Sequence, residues 1–213
     1  MATALIAGAT GLVGSHLLTL LLEDPHYSKV ISVSRKPSGR EHPKLSQVIV
    51  DFNKLGDVAE SLKADDVYCC LGTTIRQAGS KEVFRNVDYG YPLQLANLTK
   101  AQGAKQYLLI TALGSDKSSS VFYNRVKGEV EEAIGKVGFA NFHIFQPSML
   151  LGERTENRAG EGVGKAVMKT LDFLIPKKYK AIDGAKVACA MLRVAKQNVA
   201  GTHIHSSGEM QDD

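Results

Sequence analysis

Thr3-Ala4-Leu5-Ile6-Ala7-Gly8-Ala9-Thr10-Gly11-Leu12-Val13-Gly14 decides how this chain folds. A short apolar run long enough for a strand meets glycines at 8, 11 and 14. It passes at once into a stretch whose leucines recur at helical spacing up to Glu23. Strand, glycine turn and helix in immediate succession aim the free N–H groups of a helix N-terminus at the space beyond the strand, where a phosphate is stabilised. Gly8 permits the tight turn, Gly11 lets backbone approach a pyrophosphate, and Gly14 allows close packing of the helix. With Thr10, Leu12 and Val13 these residues form a candidate dinucleotide-binding turn. The spacing is G-x-x-G-x-x-G rather than G-x-G-x-x-G, and a tight turn without a ligand is the alternative reading.

Outward from this turn, short apolar runs alternate with helical segments. Strands are expected at 3–8, 29–34, 47–52, 66–71, 106–112 and 141–147. Helices are expected at 12–23, 54–63, 81–102 (disturbed by Gly90 and Pro92) and 120–137. A less regular part follows a polar loop at 153–161, with helices at 164–174 and 184–197 and a last strand at 202–206. Such alternation predicts an α/β protein with a doubly wound parallel sheet and helices on both faces, because parallel strands need crossover connections. The strands lack polar alternation, as expected when both faces are covered. The whole chain, 1–213, reads as one domain, with the substrate side mainly in 148–213. Ligands in such sheets lie beyond the carboxyl ends of the strands.

Composition narrows the function classes. At 213 residues, 44% hydrophobic and 23% charged, the chain can bury one good core. Its net charge of +4 comes from scattered residues, which suits a phosphorylated small molecule better than a polyanion. There is no basic stripe interleaved with aromatics, so no nucleic-acid partner is expected. Cys69, Cys70 and Cys189 lack C-x-x-C spacing, against a disulfide framework or a zinc site and in favour of a reducing compartment. The apolar stretch at 17–22 is too short to span a bilayer, and residues 1–8 read as a strand rather than a leader. A cytoplasmic protein without a membrane partner is expected.

The end of the second strand speaks to the nucleotide. An acidic residue there would hold a ribose 2′-hydroxyl, whereas arginine accommodates a 2′-phosphate. Here the residues are Ser34-Arg35-Lys36, with no carboxylate until Glu41. Arg35 can fork onto a phosphate and stack on adenine, so NADPH is expected rather than NAD. Asp51 and Phe52, after the third strand, could edge the adenine. Tyr123 and Lys127 stand at i and i+4 of a predicted helix, on one face. A neighbouring ammonium favours the phenolate and so tunes a general acid/base, and the same lysine can hold ribose hydroxyls. The preceding strand ends Ile110-Thr111-Ala112-Leu113-Gly114-Ser115, and Thr111 or Ser115 could donate to a substrate carbonyl.

These features together resemble the short-chain dehydrogenase/reductase superfamily. Leu71-Gly72-Thr73-Thr74 and Lys127-Gly128-Glu129-Val130-Glu131 look like its atypical branch, most similar to the Tat-interacting-protein-like oxidoreductases. The resemblance runs from the first strand to the helix beginning Asp183-Gly184-Ala185. It implies a Rossmann fold, NADPH binding with Leu71, Gly72 and Thr73 beside the cofactor, and a Ser/Thr–Tyr–Lys catalytic set. The usual serine pair is replaced by Thr111-Ala112, and the superfamily's residue separation favours Thr111 over Ser115. The resemblance also implies that the backbone around Pro147 and Met149 meets the nicotinamide carboxamide, with a purely structural turn as the alternative reading.

The expected activity is hydride transfer between the nicotinamide and a small carbonyl or alcohol. The short C-terminal part leaves little room for a sugar nucleotide. A non-catalytic NADPH-binding regulator is the rival, and a homodimer or a protein partner fits either reading. The loop at 73–80 with Arg76, and the segment bearing Arg154 and Arg158, could cover substrate or simply be solvated. His203 and His205 share a strand face, lack a third ligand at suitable spacing, and are expected to be structural rather than a metal site.

Overall fold

Ala4 and Ile6 point to one side of their strand and Leu5 and Ala7 to the other, and all four are fully buried. A strand apolar on both faces belongs at the centre of a sheet covered on both sides. In the computed structural model, which describes residues 1–152 and 176–213, this strand is β1 (Ala2–Ala7). It is an interior strand, third from one edge of a seven-stranded sheet of order β3-β2-β1-β4-β5-β6-β9, every pair parallel. The other strands are β2 (Tyr27–Ser34) and β4 (Asp66–Cys69), which flank it, and β3 (Leu45–Ile49), β5 (Gln106–Ile110), β6 (Asn141–Gln146) and β9 (Gly201–Ser206) further out. Helices α1 (Leu12–Glu23) and α6 (Gly184–Gln197) bury Leu17, Leu21, Val187 and Met191 against one face. The other face takes α4 (Tyr91–Ala101), α5 (Phe122–Gly135) and a 3-10 segment, Phe52–Leu62. The expected Rossmann-type, doubly wound parallel sheet is what the structure shows. Its direction of winding reverses between β1 and β4, where a crevice opens at the carboxyl ends.

Several boundaries differ from the sequence reading. β3 begins two residues early and stops at Ile49, because Asp51 turns to cap the following segment by accepting the Asn53 N–H. The helix expected at 81–102 is broken in three: α3 (Lys81–Arg85), one π-helical turn (Asn86–Gly90), and α4 with Pro92 in its first turn. β7 (Leu150–Leu151) and β8 (Ile182–Asp183) form a small parallel pair that was not expected, nor was α7 (Ser207–Met210), which carries a capping box from Ser206 and Glu209. The expected loop at 153–161 and helix at 164–174 lie outside the described residues. Cys69 is a buried core residue and Cys189 is exposed.

The amino edge of the sheet is closed by polar groups. The Tyr27 hydroxyl lies 2.6 Å from Asp66 and 2.7 Å from the Tyr68 hydroxyl, and the Gln106 amide donates to the other Asp66 oxygen. At the β6–β9 border, pairing sets His143 against His203, and Nδ1 of His143 lies 3.1 Å from Nε2 of His205. The rings of His143 and His203 stack, as do those of Phe145 and His205. His203 and His205 thus pack within the sheet edge together with a third histidine, His143, that local spacing did not reveal.

Burial, with His205 and His203 adding to it, holds the His143 pKa down to about 4, below its ordinary 6.5. Between those values the unfolded chain takes up a proton that the native protein refuses, so acid weakens the fold. Stability should fall by about 2–3 kcal/mol from this residue as pH drops from about 6.5 to about 4. Urea unfolding across that range should show the loss, and His143→Gln, which cannot titrate, should flatten it.

Candidate functional site

The glycine turn, at the carboxyl end of β1, makes one wall of the crevice. Gly8 adopts φ +88°, and a Cβ there would stand 2.5 Å from the Cys70 carbonyl oxygen, so no other residue fits between β1 and β4. A Cβ on Gly14 would meet the Gly8 oxygen at 2.1 Å, which lets α1 start directly against the turn. Gly11 differs. Its backbone is ordinary extended chain at the N-cap, it is exposed, and a Cβ there would touch only the Gly8 oxygen, at 3.3 Å. No side chain caps α1, and no acidic residue sits in its first turn. Its leading N–H groups therefore face the crevice with the positive end of the helix dipole. Thr10 is exposed beside them, whereas Leu12 and Val13 are buried and contribute backbone only.

At the end of β2, Ser34 donates to the Lys36 carbonyl at 2.7 Å and curls the chain. Arg35 and Lys36 are exposed, and Arg35 makes no ion pair among the described residues. After β3, Asp51 is spent on capping, and Phe52 is a core residue packed on Tyr91 with ring centroids 5.4 Å apart. The Phe52 ring is therefore turned inward rather than laid along a ligand.

Beyond β4 the chain runs through Leu71, the exposed Gly72, and Thr73, whose N–H donates to Asp88 at 3.0 Å. The other Asp88 oxygen lies 2.7 Å from Nζ of Lys127, and both side chains are almost fully buried. Tyr123 lies one turn earlier on α5, partly exposed, its ring tilted against Phe84 at 5.5 Å. Tyr123, Lys127 and Glu131 form one stripe of α5, at successive i+4 positions. Burial opposes the charge on Lys127, but the carboxylate of Asp88 outweighs it and raises the ammonium above its ordinary range. Thr111 is buried just past β5, where its hydroxyl donates to Glu131 at 2.5 Å. Glu131 also accepts two bonds from the Gln146 amide and is pushed up by burial. Ser115 donates to the Ala112 carbonyl. Pro147 is buried with its carbonyl accepting the Leu113 N–H, while Met149 is exposed.

Tertiary structure thus gathers the ends of β1, β4, β5 and β6 and the start of α5 along one edge. Asp88 and Glu131 were missed by sequence reasoning. Glu131 had a signal, since it follows Lys127 at helical spacing; Asp88 had none. Arg76 lies on an exposed short helix, α2 (Ile75–Ala78), capped by Thr74. Arg154 and Arg158 fall outside the described residues.

A model of the NAD(P)H-binding family matches residues 8–197. The chain belongs to that family. Rat protein HTATIP2 is 39% identical over 191 residues, spanning 88% of this chain and 78% of the rat protein. The Candida albicans protein FMP52, mitochondrial, is 31% identical over 206 residues, spanning 92% and 89%. The resemblance to Tat-interacting-protein-like relatives is therefore real across most of the chain. Among solved structures, MoeE5 in complex with UDP-glucose and NAD superposes with a TM-score of 0.73 at 15% identity, covering 98% of this chain and 79% of its own. A UDP-N-acetylglucosamine 4-epimerase from Methanobrevibacter ruminantium M1 also reaches 0.73, at 16%, covering 96% and 76%. Identity this low speaks for the fold alone. The fungal relatives from Emericella nidulans, Aspergillus niger and Candida albicans are named as mitochondrial, which overturns the expectation of a cytoplasmic protein. No helix among the described residues is long and apolar enough to cross a membrane.

Two glycine variants should separate folding from binding. Gly14→Ala forces its Cβ into the Gly8 carbonyl and should cost about 1–3 kcal/mol in urea unfolding. Gly11→Val should leave the circular dichroism spectrum unchanged and abolish binding of NADPH and NADH measured by calorimetry.

Proposed function

We propose that the protein is an NADPH-dependent oxidoreductase that moves hydride between the nicotinamide and a small carbonyl or alcohol. The observation that carries this reading is Tyr123, partly exposed at the crevice edge one helical turn from a buried, charged Lys127. The glycine turn fits the cofactor: an uncapped helix start offers bare N–H groups, and only Gly11 leaves the approach open. Gly8, Thr10, Gly11, Leu12, Val13 and Gly14 would hold the pyrophosphate through backbone. Ser34, Arg35 and Lys36 would meet the 2′-phosphate, with the Asp51–Phe52 backbone beside the adenine. Leu71, Gly72, Thr73, Pro147 and Met149 would line the nicotinamide half. The bound nicotinamide supplies or accepts the hydride.

The chain's own groups handle the proton. In reduction, Tyr123 gives its phenolic proton to the substrate oxygen as hydride reaches the carbonyl carbon; oxidation runs the reverse. Lys127 stabilises the phenolate left behind. For Thr111 to polarise the carbonyl, its hydroxyl proton must turn from Glu131 to the substrate, leaving Glu131 with Gln146. The elements after β6, residues 148–213 of a single domain, supply the substrate side. Leu12 packs against Gly152 and Gly184, which ties that part to the cofactor turn. The rival reading, an NADPH-binding regulator, draws on the same geometry: Lys127 and Thr111 are both engaged inside the protein.

Cofactor choice should follow Arg35. NADPH should bind at least about ten-fold tighter than NADH, about 1.4 kcal/mol, and Arg35→Ala should erase most of the gap. Equal affinities in the parent protein would end this assignment.

Turnover separates the two readings. Across a panel of aldehydes and ketones, Tyr123→Phe should lower kcat by about 10²-fold or more while NADPH affinity holds. Parental turnover in that variant would leave the regulator in its place.

A further inference from the structure

Among the described residues, Lys127 is the only buried lysine or arginine, and it shares the interior with Asp88. Such a pair does little for stability: replacing both partners by apolar groups is often neutral or favourable, because desolvation consumes the attraction. Its cost therefore asks for another use. Asp88 lies within the π-helical turn at Asn86–Gly90 and is buried there, and single π turns recur at functional positions.

The carboxylate joins two walls of the crevice. One oxygen takes the Lys127 ammonium on α5, and the other accepts the Thr73 N–H from the loop beyond β4. The pair lies directly beneath Gly72: a Cβ there would stand 3.5 Å from Oδ1 of Asp88 and 3.7 Å from Nζ of Lys127. We propose that Asp88 is the positioning residue of the site, keeping Lys127 charged and aimed, and locking the loop beyond β4 to the helix that bears Tyr123. This rests on the reading of Tyr123 and Lys127 as the proton-handling pair. The titratable groups acting on Lys127 are Asp88, Tyr123, Cys69 and, one turn on, Glu131; of the two carboxylates, only Asp88 is in ion-pair contact.

Asp88→Asn keeps the shape and an acceptor for Thr73 but removes the charge. In protein labelled with 13Cε-lysine and without cofactor, the Lys127 signal, identified by its absence in Lys127→Met, should titrate at least about one pH unit lower in this variant. Asp88→Glu should restore the parental titration. With NADPH and the best carbonyl, the alkaline limb of the kcat profile should move down in parallel, whereas a merely structural loss would lower its height without moving it. Should Asp88→Asn fail to fold, the double variant Asp88→Asn/Lys127→Met removes both charges. It should recover parental stability yet turn over no faster than Lys127→Met. Unchanged Lys127 titration in Asp88→Asn, or a double variant less stable than the parent and Lys127→Met alike, would overturn the proposal. A shifted titration together with full turnover in Tyr123→Phe would instead remove the catalytic reading and leave Asp88 as the keeper of a charged lysine.

Discussion

Helices seal both faces of β1, so each of its backbone N–H and C=O groups must be met by a neighbouring strand within the sheet. β2 and β4 meet them, both in parallel register. Parallel pairing in turn requires a crossover after each strand, and those crossovers are the helices that do the sealing. All carboxyl ends then fall on one edge. The winding runs outward in both directions from β1, so the loops beyond β1 and β4 separate there, and Gly8 fits against Cys70 at their root. The crevice is a consequence of burying this strand.

The site built on that edge departs from what stability alone would select. The start of α1 goes without a capping side chain, although such a cap is typically worth about 1 kcal/mol. A lysine and an aspartate are taken out of water together, and a glutamate is half-buried beneath Thr111. By contrast, three short helices follow the ordinary rules, with Thr74, Ser80 and Ser206 each capping one. Departures from local rules of this kind mark candidate functional positions, and the crevice gathers several of them.

The sheet border at β6 and β9 shows the same contrast between local pattern and long-range placement. His203 and His205 are visible as a pair on one strand face. Their third neighbour, His143, is about sixty residues away in the chain and joins them only through strand pairing. Tyr27, Asp66 and Gln106 likewise look like unremarkable strand-end residues until β2, β4 and β5 place them side by side.

Local signals were enough for the fold class, the succession of the seven main strands, and the glycine turn, because each depends on neighbours within a few residues. Periodicity marks a buried strand or an amphipathic helix, and the glycines at 8, 11 and 14 mark a turn that at Gly8 and Gly14 has no room for a side chain. The Tyr123–Lys127 spacing was equally legible, since one helix holds both. Boundaries were less so: the π turn at Asn86–Gly90 interrupts a segment whose pattern is helical throughout. Asp88 was invisible because its partner, Lys127, lies on another helix and its second contact, Thr73, on a loop. The commitment of Thr111 to Glu131 was hidden for the same reason. A charge can be read from sequence, but whether it is buried, and which opposite charge meets it there, is decided only when distant segments pack and water is excluded between them.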